Sequence, residues 1–457
     1  MTYTFRTALF CSSAILAASL ACAASADSHL RFPIGEGPFD WAEFQAFADS
    51  HDFSGQTLDI AGAGTGRDAD LLREIFAYFA EATGAEVKYS GSDSYEQDIV
   101  IAVQAGTPPD VALFPQPGLA ADLAKQGHLV PLADGARQWY IDNFAAGESW
   151  ADLASPTGPD GKPHVYGIFN AVDVKSLVWY SPEAFDENGY DIPESMEELK
   201  TLTDTMVDDG LTPFCLGLGA GAGTGWPATD WVEDFMLRTQ PPEVYDQWVS
   251  NEIPFTDPRV VGAIEEYGYF ARNDDYVDGG SSAAATIDFR DSPDGLFEFP
   301  PKCMMHRQAS FIPTFFPDGI VIGEDADFFY FPAYESKDLG RPVLGSGGLA
   351  TIMQDKPIAH AFLAFLQTSL PHALTAAQGK TLTPHTGVSL DAYANDTGRA
   401  LAEILLSATT FRFDGSDLMP GEIGTDAFWN AMVEYTTGSL TADEAAATIQ
   451  ARWDSIR

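Results

Sequence analysis

Hydrophobic positions in the first third of the chain switch repeatedly between two spacings. Residues 57–61 (Thr57-Leu58-Asp59-Ile60-Ala61) read as a short strand, and a glycine-rich loop, 62–66, follows. From 69 to 83 the apolar residues Leu71, Leu72, Ile75, Phe76 and Phe79 fall on one helical face, with Asp68 placed as cap and Gly84 as stop. Glu86-Val87-Lys88-Tyr89 reads as a second strand, and an amphipathic helical pattern spans 95–103. Gly106 can end that helix, and Pro108-Pro109 forbid its continuation because proline lacks an N–H and fixes φ. Val111-Ala112-Leu113-Phe114 is then a continuous apolar run, the pattern of a buried strand. This β-α-β-α-β order predicts a mostly parallel sheet. A further helix, 119–127, has its own glycine stop, and 129–132 leaves it.

Beyond Pro163 the pattern restarts. Residues 166–169 and 176–180 are strand-like, and helices are predicted over 195–208 and 231–237. Residues 328–332 are again strand-like, and 345–352 form a small-residue turn into a strand. A strong helix is predicted over 358–367, and 426–453 is mostly helical. The restart, and a length too great for one ordinary domain, predict two α/β lobes. Hydrophobic residues are 45% of the chain and aromatics 12%, enough to build two cores, and no internal repeat is visible.

The N-terminus has the form of an export signal. Arg6 is the only charge before Asp27, an apolar run spans 8–23, and Ala24-Ser25-Ala26 is a small-x-small cleavage site, so the mature chain is expected to start at Asp27. Cys22 raises a lipoprotein alternative, but Leu20 in Ser19-Leu20-Ala21-Cys22 stands one position off the usual lipobox. No later stretch reaches the roughly 20 apolar residues of a membrane-spanning helix. Two cysteines, Cys215 and Cys303, remain after processing. Export lets them pair, and two inert buried thiols are the alternative.

There are 67 acidic residues against 24 basic ones, a net charge of -43, spread along the chain. Nucleic acid is excluded as a partner, since phosphate binding needs a basic face. The acidic shell would repel anionic ligands and leave a neutral one unaffected.

Gly62-Ala63-Gly64-Thr65-Gly66-Arg67 invites a dinucleotide reading, but Arg67 stands where that fingerprint needs its third glycine. No cofactor is expected. The loop reads instead as a helix N-terminus whose free N–H groups can meet ligand oxygens, with Arg67 as donor and Asp68 as cap or acceptor; a plain surface turn is the alternative. Gln116 follows the 111–114 strand, where ligands of parallel sheets bind, and its amide suits vicinal hydroxyls. The glycine run 217–225 presents Trp226, whose face would cover the C–H face of a sugar ring, while Trp231 reads as core. The histidines show no metal-ligand spacing, and no metal site is expected.

Three stretches carry a resemblance: Gln104-Ala105-Gly106-Thr107-Pro108-Pro109-Asp110-Val111-Ala112-Leu113-Phe114, Gly225-Trp226-Pro227-Ala228-Thr229-Asp230-Trp231 and His306-Arg307-Gln308-Ala309-Ser310-Phe311. In them, and in their order, the chain resembles the extracellular solute-binding proteins of ABC importers, carbohydrate group (family 1), and within it the alpha-glucoside-binding subgroup. The resemblance implies an α/β, two-lobed periplasmic-binding-protein fold of type II, with discontinuous lobes joined by a multi-crossing hinge. It implies an N-terminal lobe of 27–170 plus 338–380 and a C-terminal lobe of 171–337 plus 381–457, with crossings near 169–173, 333–339 and 376–383. It makes Asp173, on the hinge strand, the acidic residue that reaches a sugar hydroxyl; its alternative is a simple pair with Lys175 on an exposed ribbon. It makes Trp429 a stacking aromatic beside Trp226, and turns Arg307 and Phe311 toward the cleft. The implied function is a monomeric periplasmic receptor, not an enzyme, that binds a neutral sugar and delivers it to ABC permease transmembrane subunits. A secreted glycoside-processing enzyme, or the same fold binding a polyol or compatible solute, are the alternatives.

Overall fold

A computed structural model describes residues 30–145, 147–379 and 381–456. The expected signal segment 1–26, with Cys22, lies outside them. Among the described residues nine strands form two sheets: β1 (Thr57–Gly62), β2 (Glu86–Gly91), β3 (Val111–Phe114), β4 (Gly167–Val174), β5 (Leu177–Tyr180), β6 (Met305–Arg307), β7 (Asp327–Tyr330), β8 (Pro342–Ile352) and β9 (Thr410–Phe413).

The larger sheet runs β2-β1-β3-β8-β4, with β9 on the first half of β8. β1 is parallel to β2 and β3, as the opening pattern requires. The expected parallel arrangement stops there: β8 is antiparallel to both β3 and β4. The reason is connectivity, because β8 enters this sheet on its return from the other one. The smaller sheet, β6-β5-β7, is antiparallel throughout. The chain leaves the first sheet between Val174 and Leu177 and returns to it between Tyr330 and Pro342.

Helix Gly66–Thr83 starts earlier than expected. Thr65 is its N-cap and Asp68 sits inside the first turn, where its charge suits the helix dipole but does not cap. Gly84 ends the helix in the left-handed conformation (φ 70°). The helix after the glycine run starts at Trp226 itself (Trp226–Thr239), with Pro227 in its first turn. The C-terminal helical stretch is divided: a π-helical turn, Ile423–Phe428, leads into helix Trp429–Thr436, and a Thr441/Glu444 capping box opens Ala442–Ser455. The short strands β6 and β9 and the proline-led helices Pro182–Asn188, Pro242–Val249 and Pro258–Ala271 carry no pattern strong enough to be anticipated.

Two large cores form on the two sheets. One gathers Leu58, Ile60, Phe79, Val111, Ile168, Ile352 and Phe362. The other gathers Val178, Phe235, Trp248, Tyr267, Met305 and Ile449, and includes Trp231, which is buried as expected. A smaller cluster under the crossings holds Val174, Leu177, Trp179 and Val343, and within it Cys215 and Cys303 form a disulfide (Cα–Cα 5.3 Å). Among the described residues no helix is long and apolar enough to cross a membrane.

Candidate functional site

A cavity of about 280 Å³ opens between the two sheets' domains. Its first wall is the glycine loop 63–65 with Asp68, Tyr89, Asp93, Glu96 and Gln116; its second carries Trp226, Phe289, Arg290, Phe311, Phe315 and Trp429. Crossing segments make the base: Asn170, Asp173 and Lys175 along β4 and its exit, Ser346–Gly348 of β8, and Thr381.

The second wall is aromatic. Trp226 meets Phe289 edge-on at 4.9 Å between centroids and lies 6.0 Å from Phe311, while Phe289 and Phe315 are 5.6 Å apart. Glycines bring the two indoles together. Gly225 has φ 115°, and a Cβ there would lie 2.4 Å from the Trp429 carbonyl oxygen. Only glycine allows that turn to pass so close to Trp429. A Cβ on Gly223 would lie 3.6 Å from both the Trp226 and the Trp429 rings, an ordinary packing distance that places this turn against both indoles.

Several residues that line the cavity carry buried polar atoms without protein partners. Gln116 Oε1, Asn170 Oδ1, Thr381 Oγ1 and Trp429 Nε1 are buried, line the cavity and make no hydrogen bond to the protein. Buried polar atoms are normally paired, so a cluster of unpaired ones marks where a hydrogen-bonding ligand belongs. Burial also raises the pKa of Glu96, with its own backbone N–H and the Gln116 amide opposing the rise.

Beneath the aromatic wall lies a buried ion network. Lys175 is 4% exposed, and its ammonium holds Asp230 at 2.7 Å and Asp414 closer still. It also lies 5.2 Å from the Trp226 ring centroid, a cation–π contact. Arg307 donates to Asp234 Oδ2 (2.7 Å) and to the Asp230 carbonyl (3.1 Å), and Arg238 pairs with Asp234. Glu233 accepts from the backbone N–H groups of Gly415 (3.0 Å) and Ser416 (2.9 Å). Burial raises the Asp230 carboxyl to about 7, against the pull of Lys175. Burial, with Asp414 and Asp230 adding to it, pushes Glu233 well up. Burial and the Asp414 charge likewise push Asp417 well up. At Asp414 burial also acts upward, but Lys175 and the Glu233 hydrogen bond outweigh it and hold the carboxyl low. Among the described residues, Asp230, Glu233 and Asp414 are the carboxylates close enough to share a metal ion. The Lys175 ammonium already supplies the positive charge between two of them.

Asp68, Gln116, Asp173, Trp226, Phe311 and Trp429 therefore converge on the cavity. Arg67 does not: it is exposed and absent from the lining, because the helix starts at Gly66 and turns its side chain outward. Nor does Arg307, which is 3% exposed and committed to Asp230 and Asp234 behind the aromatic wall. Asp173 is buried and accepts from Ser310 (3.0 Å) rather than pairing with Lys175 on a ribbon. Sequence reasoning passed over Asn170, Thr381, Glu96, Asp93 and Arg290. Asn170 sits where the β4–β8 register shifts between Phe169 and Ala171, a bulge that re-aims a side chain and leaves no mark in the sequence.

Residues 63–289 match the family of bacterial extracellular solute-binding proteins. Over 430 residues, 94% of each chain, the protein is 58% identical to the alpha-glucosides-binding periplasmic protein AglE of Rhizobium meliloti (strain 1021). The chain belongs to the bacterial extracellular solute-binding proteins. A second member of this kind, the osmoprotective compounds-binding protein GgtB of Synechocystis sp. (strain ATCC 27184 / PCC 6803 / Kazusa), is 41% identical over 396 residues, 87% of this chain and 92% of its own. Among solved structures the bacterial solute receptor AcbH, described as preferring b-D-galactopyranose exclusively, superposes with a TM-score of 0.75 over 88% of this chain and 99% of its own, at 17% identity. The solute-binding fold is thus the two-lobed, type II periplasmic receptor fold, and the cavity is its interlobe cleft.

Proposed function

We propose that this solute-binding protein is the periplasmic receptor of an ABC sugar importer, taking an α-glucoside or a similar neutral oligosaccharide into the interlobe cleft and handing it to the permease. The observation that carries the reading is the pairing of an aromatic wall with unpaired buried polar atoms across one cavity. Trp226 offers an apolar face with the almost wholly buried Trp429 beside it, and Gln116 Oε1, Asn170 Oδ1 and Thr381 Oγ1 lack protein partners. Sugars present both surfaces at once. Carboxylates at Asp68 and Asp173 line the same space, whereas Lys175 and Arg290 are already engaged by acids, which favours a neutral guest over an anionic one. The name of the 58% identical relative supports the α-glucoside class.

We assign the lobes as 27–170 with 338–380 and 171–337 with 381–457. The partition of the cores supports this except at the second half of β4 and at β9, which belong to the larger sheet and carry Val172 and Phe413 into its core. Mechanism follows from the two walls. A ligand bonded to both lobes favours the closed state by its differential affinity, and nothing covalent is formed.

The name of the 41% identical relative favours a second ligand class, an osmoprotective polyol or similar solute. A thermal-shift screen of the mature chain separates the two. Maltose and sucrose are expected to raise the melting temperature by several degrees, since a ligand at 100 times its Kd adds about 2.7 kcal/mol. Mannitol and glycerol are expected to leave it unchanged, and the sugar is expected back intact by chromatography. Hydrolysed sugar would favour the enzyme alternative, and a melting temperature indifferent to every carbohydrate would overturn the sugar assignment.

A further inference from the structure

An ion pair spans the two walls of the cleft. Arg290, in the second wall, reaches Asp93 of the first at 2.6 Å. Each partner is fixed on its own side. Asp93 also accepts from Thr65 Oγ1 at 3.0 Å, and Arg290 is held by both carboxylate oxygens of Asp288 at 3.2 and 3.0 Å. The guanidinium also lies 4.6 Å from the Phe289 ring centroid, so it arrives pre-oriented from the aromatic wall. Both side chains line the cavity, yet Arg290 stays 25% and Asp93 49% exposed, which places the pair where the cavity meets solvent.

Neighbouring contacts put this pair at a closing edge. The backbone at Gly221 approaches Asp93 so closely that a Cβ there would lie 3.0 Å from the Asp93 carbonyl. Helix Tyr95–Gln104 of the first wall touches the turn Gly221–Gly223, and helix Gly66–Thr83 touches Ile312–Phe315. The crossings, by contrast, run along β4, β8 and the Leu382–Val172 bridge at the cavity base. A contact at the rim acts on the lobes with a longer lever than one beside the hinge.

We infer that Asp93 and Arg290 form an interlobe clasp: a positioning pair that stabilises the closed receptor and slows escape of the bound solute. It rests on the receptor reading proposed above but not on the identity of the sugar. A half-exposed pair has a modest effect, so the closed-to-open ratio should change about three- to fivefold when it is broken. Salt should weaken it, because the Debye length falls to about 3 Å at 1 M.

The test is single-molecule FRET between dyes on the two lobes, without sugar and then with maltose, for wild type, R290M, D93N and the double variant. R290M keeps an apolar stem over Phe289, and D93N keeps the shape of its partner. Each single variant is expected to shift the sugar-free distribution toward the open form about three- to fivefold. The double variant should go no further, and the difference from wild type should fade at 1 M NaCl. With maltose, the dissociation rate should rise by the same factor. Sugar-free distributions and salt responses indistinguishable from wild type, or single-variant effects that simply add in the double variant, would overturn the clasp. Failure of maltose to bind any of the four proteins would instead count against the α-glucoside reading, and the sugar-free distances would still decide the clasp.

Discussion

Trp226 lines the cavity, whereas Arg307 is buried against Trp231 and Phe331 and pairs with Asp234. Side chains so placed should fail in different ways when removed. Arg307→Met takes one of two cationic partners from Asp230 and Asp234, which keep Lys175 and Arg238, and losing a buried hydrogen-bonded partner costs about 1–3 kcal/mol. Its expected result is a lowered midpoint in urea unfolding, with sugar affinity in the folded protein unchanged within about twofold. A large loss of affinity at unchanged stability would return Arg307 to the ligand. This distinction was invisible in the sequence. Arg307 and Asp234 are 73 residues apart, and Lys175 and Asp414 are 239 apart. No local pattern links such partners, so a buried ion network reads as scattered surface charge. Arg67 shows the converse: an arginine beside a glycine loop reads as a ligand donor until the first turn of the helix fixes its direction.

At the level of elements, the unit from β1 to β3 was legible because its strands, stops and helical stripe follow one another within a few residues. β9 was not, because its sheet partner among the described residues, β8, is far away in sequence and its own pattern is four residues long. The helix Trp226–Thr239 unites the site: Trp226 lines the cavity at its start while Asp230, Glu233 and Asp234 reach the ion network. Its entry depends on Gly225. Gly225→Ala would force a side chain into φ 115° and against the Trp429 carbonyl. A loss of about 1–3 kcal/mol and weakened sugar binding are expected, measured by urea unfolding and calorimetric titration. Neither changing would show that the turn does not set the indoles. The network also gives the protein a pH signature. A carboxyl raised on folding holds its proton more tightly in the folded state. Its contribution is complete below the ordinary carboxylate range and is lost as pH climbs toward the folded value. Asp417 is such a group, raised by burial and by Asp414. The wild-type melting temperature should therefore fall from about pH 5 to 8, and Asp417→Asn should flatten that fall. Parallel curves would contradict the assignment. Asp414, held low, has the opposite sign and acts only at lower pH.

Across the whole molecule two features dominate, a net charge of -43 and a cleft between two lobes. The charge opposes compactness, and salt screens it. Raising NaCl from about 0.01 M to 1 M is expected to raise the melting temperature, and a flat or falling curve would show that self-repulsion is not limiting. The cleft carries the central claim: a neutral sugar held by aromatic faces and unpaired polar atoms, without reaction. Calorimetric titration of maltose into wild type, Trp226→Ala and Trp429→Ala tests it most directly. One site per chain is expected for wild type, with affinity falling about 10- to 100-fold in each variant, the loss typical of a buried aromatic anchor. Equal affinity in all three proteins, or maltose consumed during the titration, would contradict it.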